Sequence, residues 1–126
     1  MSNSKYDLTL ERVVRKQLSF VSAGVATEYI NDAPVKKNQV LTLTRIALVN
    51  QTHSFTSLRV GVYSGGVFYP FEEQSSPAAD TLYWTSDELI ICSGENLRIE
   101  LKGCTSGDIV RVYMYGILDK KKVEGA

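Results

Sequence analysis

Apolar residues recur at every second position through much of this chain. "VLTLTRIALVN" sets Val40, Thr42, Thr44, Ile46 and Leu48 against Leu41, Leu43, Arg45, Ala47 and Val49. A long strand that is apolar on both sides belongs in the middle of a sandwich. "SLRVGVY" puts Leu58, Val60 and Val62 on one face, then meets Ser64-Gly65-Gly66 and "VFYPF". Adjacent glycines supply the positive φ of a tight hairpin, so residues 58–63 and 67–69 are predicted to pair antiparallel. Pro70 has no N–H to give a ladder and is predicted to end the second strand. "EEQSSPAAD" reads as a polar loop of nine residues, with "TLYW" and "ELIICS" as short strands after it. "NLRIELKG" turns Leu97, Ile99 and Leu101 inward, and "IVRVYMYGIL" opposes Val110, Val112 and Met114 to Ile109, Arg111, Tyr113 and Tyr115.

The last two strands share an entry. Ser93-Gly94-Glu95 precedes one and Ser106-Gly107-Asp108 the other. Glycine takes the left-handed conformation that reverses a chain, and an acid at the turn accepts hydrogen bonds from nearby amides. The repeated step therefore predicts two turns of one shape. A calcium loop on Glu95 and Asp108 would need a denser set of oxygen ligands.

The first third of the chain has weaker periodicity. "DLTLERVVRKQL" fits a short helix on Leu10, Val13, Val14 and Leu18, and also a strand. The uniformly β character of the rest favours a strand over about residues 13–22. "ATEYINDAP" reads as a further strand reaching a turn at Asp32-Ala33-Pro34. Residues 1–12 are then expected to be an arm, 13–118 the domain, and 119–126 a charged, loose tail. About eight strands with polar connections and no long helix predict an all-β fold, an antiparallel β-sandwich of jelly-roll type.

Length and charge narrow the function. One domain of 126 residues buries roughly two-thirds of its unfolded surface and needs no staples. Fourteen basic and fourteen acidic residues cancel, so no general attraction to nucleic acid or an anionic membrane is expected, and copies repel one another little. No apolar run reaches the length of a membrane span. "MSNSKYDLTL" has no apolar stretch behind a basic one, so no secretory leader is expected. Cys92 and Cys104 read as two buried thiols of a protein made in a cytoplasm, with a disulfide as the alternative.

The succession "LTLTRIALVNQT", "LRVGVYSGGVFYPFEEQ", "TLYW", "SGENLRIELKG" and "SGDIVRVYMYGIL" resembles small β-sandwich virion proteins of tailed bacteriophages. Members of that group share an (R/T)-x-x-L-x-N strand, matched here by "RIALVN", and a final G-D-x-(I/V/L) turn, matched by "GDIV". The likeness covers residues 40–118. It implies a capsid cement or decoration subunit located on the virion, usually a trimer, bound to a major capsid protein or other virion proteins. Tail and fibre proteins are the other members, but the chain has neither Gly-X-Y repeats nor coiled-coil heptads, which favours a compact subunit.

Little in the sequence points to catalysis. His53, the single histidine, sits in the polar loop "NQTHSFTS" with no nucleophile motif beside it. One histidine and two cysteines twelve positions apart make a poor zinc set, so no metal and no cofactor is expected. Glu72, Glu73, Asp80, Asp87 and Glu88 read as solvated loop charges rather than a glycosidase pair. Lys36-Lys37 and Lys120-Lys121-Lys122 lack the interleaved aromatics of a nucleic-acid site. "YSGGVF" has glycines but no phosphate-binding Lys-Ser/Thr.

The aromatic cluster carries more. Tyr63, Phe68, Tyr69, Phe71, Tyr83 and Trp84 flank the hairpin and the strand after it. Phe68 and one of Tyr83 or Trp84 are expected in the core, and the rest at the surface. Tyr69, Phe71, Tyr83 and Trp84 are thus candidates for a protein interface, with a carbohydrate or receptor site at a tail tip as the alternative. Tyr6, Leu8 and Leu10 are the candidate contacts of the arm, reaching a neighbouring subunit. A small hydrolase would require His53 to meet an acid and a nucleophile.

Overall fold

The computed structural model of the chain describes residues 8–85 and 87–121. The strands are β1 (Leu8–Val21), β2 (Thr27–Asn31), β3 (Gln39–Asn50), β4 (Ser57–Ser64), β5 (Val67–Ser75), β6 (Tyr83–Trp84), β7 (Leu89–Ile91), β8 (Asn96–Lys102) and β9 (Ile109–Lys121). They form two antiparallel sheets and no helix among the described residues. Sheet A runs β1-β9-β3-β6, with β7 beside β6 on β3, and sheet B runs β2-β8-β4-β5. The pairing is nested: β1 with β9, β2 with β8, β3 with β6 and β7, β4 with β5. A single long hairpin, folded over on itself and closed at Gly65-Gly66, is the jelly roll. Between the sheets lie Leu43, Ile46, Leu48, Ile91, Leu97, Ile99, Leu101, Val110 and Val112, all fully buried. Burial of each such side chain contributes about 1.5–3 kcal/mol.

The two Ser-Gly-acid steps are one device used twice. Glu95 N–H donates to Cys92 O at 3.0 Å while its carboxylate accepts Cys92 N–H at 2.8 Å. Asp108 N–H donates to Thr105 O at 3.0 Å while its carboxylate accepts Thr105 N–H at 3.0 Å. Gly94 (φ 82°) and Gly107 (φ 89°) hold the left-handed position each turn requires.

Where the pattern misled, a bulge is the usual cause. In β3 the inward positions are Leu41 and Leu43, then Ile46, Leu48 and Asn50, while Ala47 is covered on the other face. Register shifts between Leu43 and Arg45, so Thr44 is an extra residue that switches the inward phase from odd to even. Apolar residues on both sides of the alternation therefore mark a phase change. The bulge brings Thr42 O so near Gly116 that a Cβ there would lie 2.0 Å away. β6 and β7 are interrupted opposite the same bulge, which makes nine strands among the described residues of the eight or so expected.

Pro70 does not end β5. β5 is an edge strand whose outer side needs no ladder donor, and a second bulge leaves Phe71 without a partner while Pro70 faces Gly61 and Glu72 faces Val60. The domain limits also move. Residues 8–12 are the start of β1, with Leu8 opposite Lys121, and residues 119–121 finish β9, whose length lets it pair with β1 and β3 together. What remains of the expected arm and tail, Tyr6 included, lies outside the described residues. Both thiols are free. Cys104 is buried, but Cys92 is exposed, because it follows the inward Ile91 and takes the outward place in the alternation.

Candidate functional site

The outer faces of the two sheets differ in chemistry. On sheet B, Arg59 makes a bidentate bond to Glu100 at 2.9 and 3.1 Å. Glu73, directly across from Arg59, and Lys102, two residues along β8 from Glu100, approach the same pair at 3.9 and 4.0 Å. The Arg59 bond outweighs the burial of Glu100 and holds that carboxyl below the usual range. Arg98 lies over Tyr63 and Tyr29, 3.5 and 4.8 Å from the ring centroids, and donates to Asn31. Phe68 belongs to this outer face rather than the core, edge-on to Tyr29 at 6.5 Å. Its partner Tyr63 points outward, and antiparallel partners share a face. Sheet B therefore presents charges satisfied by one another.

Sheet A presents something else. Val13, Arg15, Gln17, Ser19 and Val21 of β1 stand opposite Ile117, Tyr115, Tyr113, Arg111 and Ile109 of β9. Beyond them come Arg45, Ala47 and Val49 of β3, then Trp84 of β6 and Ile90 of β7. Val13, Val21, Trp84, Ile90, Ile109, Tyr113 and Tyr115 are all exposed, Trp84 to 61% and Tyr115 to 48%. The Arg45 guanidinium lies 5.6 Å from the Trp84 ring centroid, and that of Arg15 5.6 Å from Tyr115. From Val13 to Val21 along β1 and across to β6 these rows hold arginines and no carboxylate. Strands about 4.8 Å apart and residues about 3.4 Å long give a face roughly 15–20 Å by 30 Å. That is about 450–600 Å², the size of a weak contact that buries less than ~1,200 Å² in total. Trp, Tyr and Arg are the residues that dominate binding in such surfaces.

The aromatic candidates divide among three places. Trp84 is on the sheet A face. Tyr83 packs against the core, and its hydroxyl accepts Ala78 N–H at 2.7 Å. Tyr69 and Phe71 lie on edge strand β5, 49% and 65% exposed. Phe71, Tyr83 and Trp84 do share one seam, where β5 passes over β6 and β7. Two adjoining clefts of about 110 and 380 Å³ open there, both lined by Val60, Glu72 and Thr85. Leu10 is exposed on β1, and Leu8 opens that strand. Tyr113, Tyr115, Arg15 and Arg45 were missed by sequence reasoning. The signal was present in "RVYMYG", whose outward set is aromatic and basic where a solvated strand would be polar.

His53 does meet an acid. Its Nδ1 lies 2.6 Å from Asp108 Oδ1, and Asp108 Oδ2 accepts from Asn50 Nδ2 at 2.9 Å. Burial pushes the Asp108 carboxyl up, but the hydrogen bonds from Asn50, His53 and Thr105 N–H outweigh it and hold the group below the usual range. Asn50 Oδ1 in turn accepts Thr52 and His53 N–H. The nearby Cys104 thiol is pushed up to about 11 by burial and by the charges of Glu28 and Asp108, so it stays protonated at neutral pH. Among the described residues no hydroxyl or thiol bonds to the histidine ring, and no group of three or more His, Cys, Asp and Glu side chains is placed to hold a metal. The cluster clamps the 51–56 loop to the β8–β9 turn.

No family model and no curated protein sequence matches the chain. Its fold is similar to a protein of the disulfide-linked pili of Bacillus endospore appendages, at 11% identity and TM-score 0.56, covering 97% of this chain and 96% of that one. A looser likeness joins it to a protein of infectious bursal disease virus, Gx strain, at 11% identity and TM-score 0.46, over 92% of this chain and 33% of that one. A CBM4 protein superposes at 12% identity and TM-score 0.36, over 92% and 91%. The first of these agrees with the sandwich architecture; the other two superpose too loosely to support an argument.

Proposed function

We propose that this chain is a non-enzymatic structural subunit that adheres to other proteins through the outer face of sheet A. The observation that carries the reading is the exposed row of Trp84, Arg45, Tyr115, Arg15 and Tyr113 beside Ile109 and Val21. Burying that row against a partner removes apolar area from water and engages arginines already placed over rings, so less side-chain freedom remains to be lost. The finer reading follows the sequence resemblance: a capsid cement or decoration subunit of a tailed-phage virion, acting as an oligomer such as a trimer on the major capsid protein. The test is incorporation into purified particles. Y113E/Y115E should fold normally and be absent from particles that contain the wild type. Incorporation of the variant at the wild-type level refutes the role of the face.

The alternative, a carbohydrate-binding module at a tail tip, draws support from Trp84 and Phe71 standing exposed at clefts lined by Glu72 and Glu73. Rings that stack on sugars and carboxylates that accept hydroxyls are what such a site uses. Saturable binding on a glycan array, abolished by W84A, would favour it over the adhesive reading.

A further inference from the structure

The charges of this chain are separated by sign. Residues 60–97 contain Glu72, Glu73, Asp80, Asp87, Glu88 and Glu95 and neither Lys nor Arg, leaving fourteen bases against eight acids elsewhere. The fold gathers the acidic segment on one flank, because β5, β6 and β7 all belong to it and meet at the seam. Glu72, Glu73, Asp87 and Glu88 line that seam, with Phe71, Trp84 and Ile90 among them. The opposite flank is β1 over β2, tied by the Lys16–Asp32 ion pair. It carries Arg12, Arg15 and Lys16 against Glu11 and the Lys16-paired Asp32, and β1 pairs with β9 alone among the described strands. From Arg12 to Val21 that free edge has neither proline nor bulge.

We propose that copies of this chain associate head to tail, the β1 flank of one seated on the β5–β6–β7 flank of the next. The occupant is a second copy because each molecule carries both halves of the complement and no net charge to repel its neighbour. A contact of the β5–β6–β7 flank with itself would set carboxylates face to face, whereas the arginines of β1 complement them, so the contact is heterologous. It closes into a ring or continues as a fibre, depending on the rotation between neighbours. In both, the outer face of sheet A repeats on every copy, and weak adhesion through it gains by avidity. The association does not require the adhesive role proposed above, although Arg15 and Trp84 border both surfaces.

The test is the mass of the full-length protein in solution, by light scattering and sedimentation up to about 1 mM, at roughly 50 and roughly 500 mM salt. The wild type should rise above the 14.0 kDa of one copy, with affinity about ten-fold or more weaker at the higher salt. A fixed multiple of three or more identifies a ring and a mass that grows with concentration a fibre, and both support the proposal, whereas a mass fixed at two copies would overturn it. R12E/R15E and D87K/E88K, each with unchanged thermal unfolding, should each remain a single copy. Mixed together they should associate, since each supplies the flank that the other has lost. A misfolded or merely weakened variant could not do this. A wild type that stays at 14.0 kDa at low salt, variants that associate alone like the wild type, or a mixture that stays single while the wild type associates would each overturn it.

Discussion

Asp108→Ala tests whether the clamp between the 51–56 loop and the β8–β9 turn contributes stability. Asp108 is 2% exposed and accepts three hydrogen bonds, from Asn50 Nδ2 at 2.9 Å, Thr105 N–H at 3.0 Å and His53 Nδ1 at 2.6 Å. A hydrogen bond to a charged group contributes about 1.5–3 kcal/mol, and a buried donor left without a partner costs about 1–3. His53 is half-exposed and can turn to water, so it adds little. Asn50, 1% exposed, cannot, and its bond together with that of the part-buried Thr105 amide sets an expected loss of about 3–5 kcal/mol, a large part of the roughly 5–15 available to a domain. Urea unfolding followed by circular dichroism measures it, and a loss below about 1 kcal/mol would refute the reasoning. The pH dependence gives a second check. The folded carboxyl is held below the usual range, so the unfolded chain takes up the proton first as pH falls. The stabilisation is complete above about pH 5 and fades as pH drops through the ordinary Asp value toward the lower folded one. Asp108→Ala should therefore flatten the acid limb of the stability curve and leave its neutral part parallel to the wild type.

Two further outcomes follow from local geometry. Gly116→Ala drives a Cβ to 2.0 Å from Thr42 O, a backbone atom fixed by the bulge, and should cost at least about 3 kcal/mol in thermal or urea unfolding. At pH 8 a thiol reagent should label Cys92 at once, whereas Cys104, buried and with its thiol pushed up to about 11, should react only after denaturant is added.

Much of the fold was legible because local chemistry and global topology agree. Gly65-Gly66 closes the β4–β5 hairpin where expected, and the two Ser-Gly-acid steps adopt the same turn down to the bond from acid to amide. Bulges were not legible. Thr44 in β3 carries no local mark distinguishing an extra residue from the next alternation, and only the pairing with β9 reveals the phase change. Pro70 misled because its missing N–H matters only on a side that is paired, and edge position is a property of the assembled sheet. The His53–Asp108 contact joins residues fifty-five positions apart and had no local signature. The sheet A face depends on which side of β9 is outward and which strands lie beside it. Trp84 could be named from sequence, whereas Arg45 and Tyr115 became its neighbours only through topology.

The nested pairing has a consequence for how the molecule is made. During synthesis β1 emerges first and its partner β9 last, so the longest strand waits, with nothing to bond to, for nearly the whole chain to leave the ribosome. The hairpin of β4 and β5 can form early, and β8 and β2 can add to it, but sheet A has no centre until residues 109–121 arrive. High sequence separation between partners slows folding. Any treatment that removes the last strand strips β1 and β3 together, leaving two sticky polypeptide edges to pair with whatever chain is nearest.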